Sequence, residues 1–202
     1  METWLIIIIV VACLAAAGAI AGLILLAVLA AGGLTAARFN LTPVAADQLT
    51  EYLDTEASFA ISVHRDFPNP PDDVFKALLD ERFMRWVPFT KGVDYAGTAL
   101  RDVGTKRAFV NTFGVLAEQI VINEPNQRLG VTITAFSVPL VLDSAAEIFD
   151  VTSTGEGWTR LTWNVGGTPK WVGWLPLRLA APLVRPVARW QLGKLRSIMG
   201  GR

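Results

Sequence analysis

The stretch Phe59-Ala60-Ile61-Ser62-Val63-His64-Arg65-Asp66-Phe67, then Pro68-Asn69-Pro70-Pro71, then Asp72-Asp73-Val74-Phe75-Lys76-Ala77-Leu78-Leu79-Asp80, sets the course of the domain. Its first part alternates. Phe59, Ile61, Val63 and Phe67 fall on one side and Ala60, Ser62, His64 and Asp66 on the other, the period of a half-buried strand. The prolines end that strand. Asn69 is the expected helix cap, and Asp72-Asp73 put acid into the first helical turn. Val74, Phe75, Leu78 and Leu79 then recur at helical spacing. Phe83, Trp86 and Val87 continue after a break near Asp80, so two short helices are expected before Pro88.

Further along, strand-like stretches alternate with turn residues: 92–97, 105–113, 115–123, 128–136, 144–151 and 158–165. Consecutive strands joined by short turns argue for an antiparallel meander rather than βαβ units. After Gly166-Gly167 the pattern turns helical, broken by Pro176, Pro182 and Pro186. The last run, 186–199, starts with Pro186 at an expected first helical position. The expected class is α+β, with about seven antiparallel strands curved around a long C-terminal helix and a cavity between them.

Upstream, residues 5–34 carry no charge; the nearest charges are Glu2 and Arg38. Such a run is long enough to span a bilayer. A cleaved signal peptide is the rival reading, but its n-region would be basic and its apolar core much shorter. Val10-Val11-Ala12-Cys13 loosely resembles a lipoprotein cleavage box, yet a long apolar run follows it. The organisation expected is therefore a transmembrane anchor at 1–37, a linker at 38–56 and a ligand-binding domain at 57–202. Basic residues lie on the C-terminal side of the span, which favours a cytoplasmic domain and a single-pass membrane protein.

Composition narrows the chemistry. Lys plus Arg and Asp plus Glu number 18 each among 202 residues, so net charge selects no partner. The distribution is uneven: no acidic residue follows Glu156, while eight Lys or Arg do. Cys13 and His64 are the only residues of their types, which excludes an internal disulfide and a Cys/His zinc site. His64 falls opposite the apolar face of its strand and is expected to point outwards, leaving nucleophilic catalysis without a base. No phosphate-binding loop or nucleic-acid recognition motif occurs. No metal or cofactor is implied.

Several local motifs fall in a characteristic order. The opening strand, prolines and helix close with Arg85-Trp86-Val87-Pro88. Val103-Gly104-Thr105-Lys106-Arg107 follows, then Glu124-Pro125-Asn126-Gln127-Arg128-Leu129. Together they resemble the Bet v 1-like, or START, superfamily, particularly its bacterial polyketide cyclase/dehydrase and lipid-transfer group (SRPBCC-type). The resemblance spans about 59–199. It implies a helix-grip fold with an internal pocket for sterols, polyketides, quinones or acyl lipids, in which some members catalyse cyclisation or dehydration and others only carry.

Candidate pocket residues are Trp86, Arg107, Phe109, Glu118, Phe136 and Trp163. Glu118 shares a strand face with Leu116, Ile120 and Ile122, and Arg107 shares one with Phe109 and Phe113. The two charges could serve a ligand, pair with one another or sit at the sheet surface, and the aromatics could be plain core. Trp171, Trp174, Arg178 and Arg185 are candidates for a membrane interface. The C-terminal helix is expected to lay its apolar side, with Leu183, Val187 and Ile198, on the sheet and its arginines in water. The reading favoured is a membrane-anchored carrier of a hydrophobic ligand. The alternatives are a polyketide cyclase/dehydratase-type enzyme and a membrane-associated assembly factor.

Overall fold

The structure, a computed structural model, describes residues 36–95, 97, 100–112, 114–138, 142–171 and 177–200, with Val10, Gly18 and Gly22. Apart from those last three residues, the expected transmembrane segment lies outside the described residues, as do Phe113 and Trp174. Among the described residues, no helix is long and apolar enough to cross a membrane.

Among the described residues there are eight strands: β1 Phe39–Asn40, β2 Phe59–Phe67, β3 Thr90–Asp94, β4 Lys106–Asn111, β5 Gly114–Glu124, β6 Arg128–Phe136, β7 Leu142–Gly155 and β8 Trp158–Pro169. Seven run antiparallel in the order β2-β8-β7-β6-β5-β4-β3, and β1 adds to β6. The C-terminal helix Ala181–Gly200 packs across the inner face of this curled sheet. Its Ala181, Ala188, Leu192 and Leu195 join Ile61, Val63, Phe67, Leu129, Phe149 and Leu161 in the main core. The expected meander and helix-grip arrangement are therefore present.

Several local expectations need correction. The helix after β2 is Pro71–Leu79, capped by Pro70 rather than Asn69, whose buried Oδ1 lacks a partner. The second short helix is absent, and 81–86 form turns in which Met84 has φ 60°. That left-handed conformation is uncommon for a residue with a side chain. Pro186 lies inside the C-terminal helix, five residues after its start, and removes one backbone donor there. The helix also turns a different side to the sheet. Leu183 and Val187 are exposed, at 80% and 54%, as is Ile198, while small Ala181 and Ala188 allow close approach. Arg185 and Arg189 are exposed as expected, and so is His64.

Residues 38–56, read as a linker, form a second layer on the outer face. Val44, Leu49, Tyr52, Leu53 and Ala57 bury themselves against Ala146 and Ile148 of β7. β6 and β7 pair only as far as Thr132 and Ala146. Beyond that point the N-terminal segment lies between them: Leu41 N–H donates to Thr134 O, Thr42 N–H to Asp143 O, and Val44 N–H to Thr132 Oγ1. Arg178 fastens this layer to the approach of the C-terminal helix. Its guanidinium donates to the carbonyls of Leu53, Asp54 and Ala57 at 3.1, 2.7 and 3.0 Å. These carbonyls lie at or just beyond the C-terminal end of the helical turns 49–56, where backbone acceptors lack helical partners. Arg178→Ala should therefore cost about 1–3 kcal/mol. Hydrogen exchange should speed up selectively over 49–57, whereas unchanged exchange there would contradict the clamp.

Candidate functional site

The inner side of the sheet carries a partly enclosed cavity of about 150 Å³. Its apolar walls are Phe83 and Met84 from the turns after Pro71–Leu79, Val93 of β3, Phe109 of β4, Leu116 of β5 and Trp163 of β8. Arg107, Glu118, Glu147 and Gln191 complete the lining. The left-handed backbone at Met84 belongs to the turn that brings Phe83 and Met84 to this cavity.

Four of the six predicted pocket residues meet here: Arg107, Phe109, Glu118 and Trp163. Two do not. Trp86 lines a wider groove, about 630 Å³, between Pro71–Leu79 and the end of the C-terminal helix, and its indole N–H donates to Gln191 O at 3.1 Å. Phe136 stands at the end of β6, opposite Leu116 and Phe39, and is not among the cavity-lining residues. The groove is open and rimmed by charges such as Asp80 and Arg82, which already pair at 2.9 Å. The inner cavity has the concave, mostly apolar character of a ligand site.

Arg107 and Glu118 face each other across β4 and β5 in direct register. Both are nearly inaccessible, at 4% exposure each. Arg107 Nε donates to Glu118 Oε2 at 2.7 Å, and its Nη1 lies 3.3 Å from the Tyr95 hydroxyl and 3.4 Å from Leu78 O. Burial works against the Arg107 charge, but Glu118 and Tyr95 outweigh it and raise its pKa. The guanidinium therefore stays charged. A bulge between Ile120 and Ile122 breaks the expected face: Ile120 stays in the inner core, whereas Ile122 packs against the outer layer.

Glu147 of β7 is the functional candidate that sequence reasoning missed. Its Oε2 accepts from Trp163 Nε1 at 3.1 Å. Burial, and then the nearby Glu118 carboxylate, push its pKa up to about 7, against the pull of Arg107 and the Trp163 hydrogen bond. It is thus a carboxyl able to give or take a proton near neutrality, beside a small apolar space. A signal existed: Glu147 falls between Ala145 and Phe149 on an otherwise apolar alternating run that continues to Val151.

Of the membrane-interface candidates, Trp171 is 69% exposed and Arg185 is exposed, while Arg178 is engaged by backbone carbonyls. Exposed Leu183, Val187 and Trp190 recur at intervals of four and three, which place them on one face of the C-terminal helix, and exposed Leu179 lies in the 3-10 turn before it.

Arg107→Ala would leave Glu118 buried and uncompensated and should cost about 3–5 kcal/mol. The double variant Arg107→Met/Glu118→Leu should recover most of that loss in denaturant unfolding of the full chain. A single-variant cost below about 1 kcal/mol, the range of exposed pairs, would contradict a buried pair.

The model of a family described as polyketide cyclase / dehydrase and lipid transport matches residues 58–200. No curated protein matches the chain. Among solved structures, a START superfamily protein from Mycobacterium smegmatis is similar at 16% identity and TM-score 0.54, over 70% of this chain and 97% of that one. A protein from Mesorhizobium loti is similar at 20% identity and TM-score 0.52, over 70% and 96%. XoxI from Bacillus cereus is similar at 14% identity and TM-score 0.54, over 70% and 95%. At these identities the likeness is one of fold.

Proposed function

We propose, on the premise that the chain belongs to the polyketide cyclase / dehydrase and lipid transport family, that its inner cavity binds a hydrophobic small molecule beside a membrane. The observation that carries this reading is the cavity itself. It has apolar walls of Phe83, Met84, Phe109, Leu116 and Trp163, with hydrogen-bonding groups gathered at Arg107, Glu118 and Glu147. Apolar area supplies affinity in such a site and a few polar groups fix orientation.

The test is native mass spectrometry and organic extraction of the full chain, purified from its host membranes into lipid nanodiscs. A stoichiometric apolar compound is expected, and Leu116→Trp, which fills the cavity, should lose it while keeping the far-ultraviolet circular dichroism of the parent. An empty chain with no uptake from a membrane extract would contradict the reading.

Placement beside a membrane draws on two features. Residues 5–34 are uncharged and long enough to act as a tether, and the basic residues that follow favour a cytoplasmic domain. On the C-terminal helix, Leu183, Val187 and Trp190 form an exposed apolar face with exposed Lys194 one turn beyond Trp190, Leu179 lies in the 3-10 turn just before the helix, and no acidic residue follows Glu156. Apolar side chains and Trp beside cations suit an anionic lipid surface. Hydroxyl-radical labelling of Leu183, Val187 and Trp190 should fall several-fold when the full chain is moved from zwitterionic to anionic vesicles. Equal labelling in both would remove this face from the reading.

Glu147 supports a second reading, catalysis of the cyclase or dehydratase type. A carboxyl with a pKa near 7 beside an apolar space has the protonation range of a general acid or base for a carbonyl substrate.

A further inference from the structure

The cavity's charges say more about the ligand than its walls do. Among the described residues Arg107 is the only cation lining it, and its charge is already matched by Glu118, to which Nε donates, while Nη1 lies within reach of the Tyr95 hydroxyl and Leu78 O. The hydrogen bond to Glu147 among the described residues comes from the Trp163 indole, to Oε2. The polar groups that share the cavity lining with Glu147 are Arg107 on β4, Glu118 on β5, Trp163 on β8 and Gln191 on the C-terminal helix, with the Tyr95 hydroxyl behind them on Arg107. Their formal charges cancel when Glu147 is protonated and leave one surplus negative charge when it is ionised. In neither state is there a positive charge to spare.

We propose that the cavity receives the neutral, oxygen-bearing end of an apolar molecule, such as a phenol, alcohol or ketone, and excludes anionic ends such as carboxylates. This rests on the ligand-binding reading above and narrows it to a ligand class. A hydroxyl can donate to the Glu147 carboxylate or accept from its protonated form, and a ketone can accept from the acid or from the Gln191 amide. A carboxylate meets, among the described lining residues, a cation already balanced by Glu118, loses its hydration and faces two carboxyl groups. Size points the same way. At about 150 Å³ the cavity is smaller than a typical site for a whole drug-sized ligand and comparable to a cavity that takes a single ring. It therefore receives the head of a longer molecule, whose tail leaves through the open side, or a small molecule entire.

The matched probes are 4-propylphenol and 4-propylbenzoate. Each is measured by equilibrium dialysis against the full chain in nanodiscs, with empty nanodiscs as the reference, at pH 5.5 and 8.5. The phenol should bind at both pH values. The benzoate should bind at least about tenfold more weakly than the phenol at pH 8.5, because a like charge a few ångströms away in a low-dielectric site is worth that much or more. The gap should narrow at pH 5.5, where Glu147 is protonated. Glu147→Gln should remove the pH dependence, and the parent chain's own pH comparison stands if that variant does not fold. Equal affinity for both probes at pH 8.5 would overturn the selection while leaving the cavity a ligand site. Binding of neither probe would overturn the ligand-binding reading and this inference with it.

Discussion

A guanidinium and a carboxylate sealed inside the curve of the sheet constrain what surrounds them. Either charge left alone there would cost several kcal/mol, so β4 and β5 have to keep the register that sets Arg107 opposite Glu118. The end of the helix Pro71–Leu79 has to present Leu78 O, and the chain after β3 has to present the Tyr95 hydroxyl, because both lie within reach of Arg107 Nη1. Once the cation is used in this way, a third ionisable group on the same wall goes without one. Burial raises the pKa of Glu147 most, the charge of Glu118 adds to it, and Arg107, already matched by Glu118, offsets only part.

The outer layer bears on the same site from behind. A sheet gripping a helix on one face has its other face in water unless something covers it. Here the segment 41–57 covers β7 and lies where β6 and β7 part, and Arg178 ties it to the approach of the C-terminal helix. Helix, sheet and outer segment are thus joined around β7, the strand that carries Glu147. Loosening the outer segment is expected to reach the cavity through that strand.

The order of elements was legible in the sequence because strand alternation, prolines and turn residues mark it locally. The Arg107–Glu118 pair was half-legible: it follows directly once Asn111 is set against Gly114, but no Asn-Gly or Asp-Gly pair marks that turn. Glu147 was hidden for a different reason. β7 is covered on both faces, so Ala146 and Ile148 look as buried as Phe149 and Val151, and alternation does not say which face is inner. The C-terminal helix misled in the same way. It has two apolar sides, and the sheet takes the one with small Ala181 and Ala188, because close approach buries Leu192 and Leu195 more fully than bulky Leu183 and Val187 would allow. The bulge that moves Ile122 to the outer layer leaves no mark in residue type at all.

The central claim is that Arg107 is matched by Glu118 in the inner cavity, so that Glu147 has no ion-pair partner of its own among the described residues. Carbon-13 NMR of the full chain labelled at glutamate side-chain carboxyls, with Glu147→Gln for assignment, tests it most directly. The account predicts that the Glu147 signal titrates near pH 7, well above the ordinary value of 4.5. A Glu147 midpoint in the ordinary carboxylate range would contradict it.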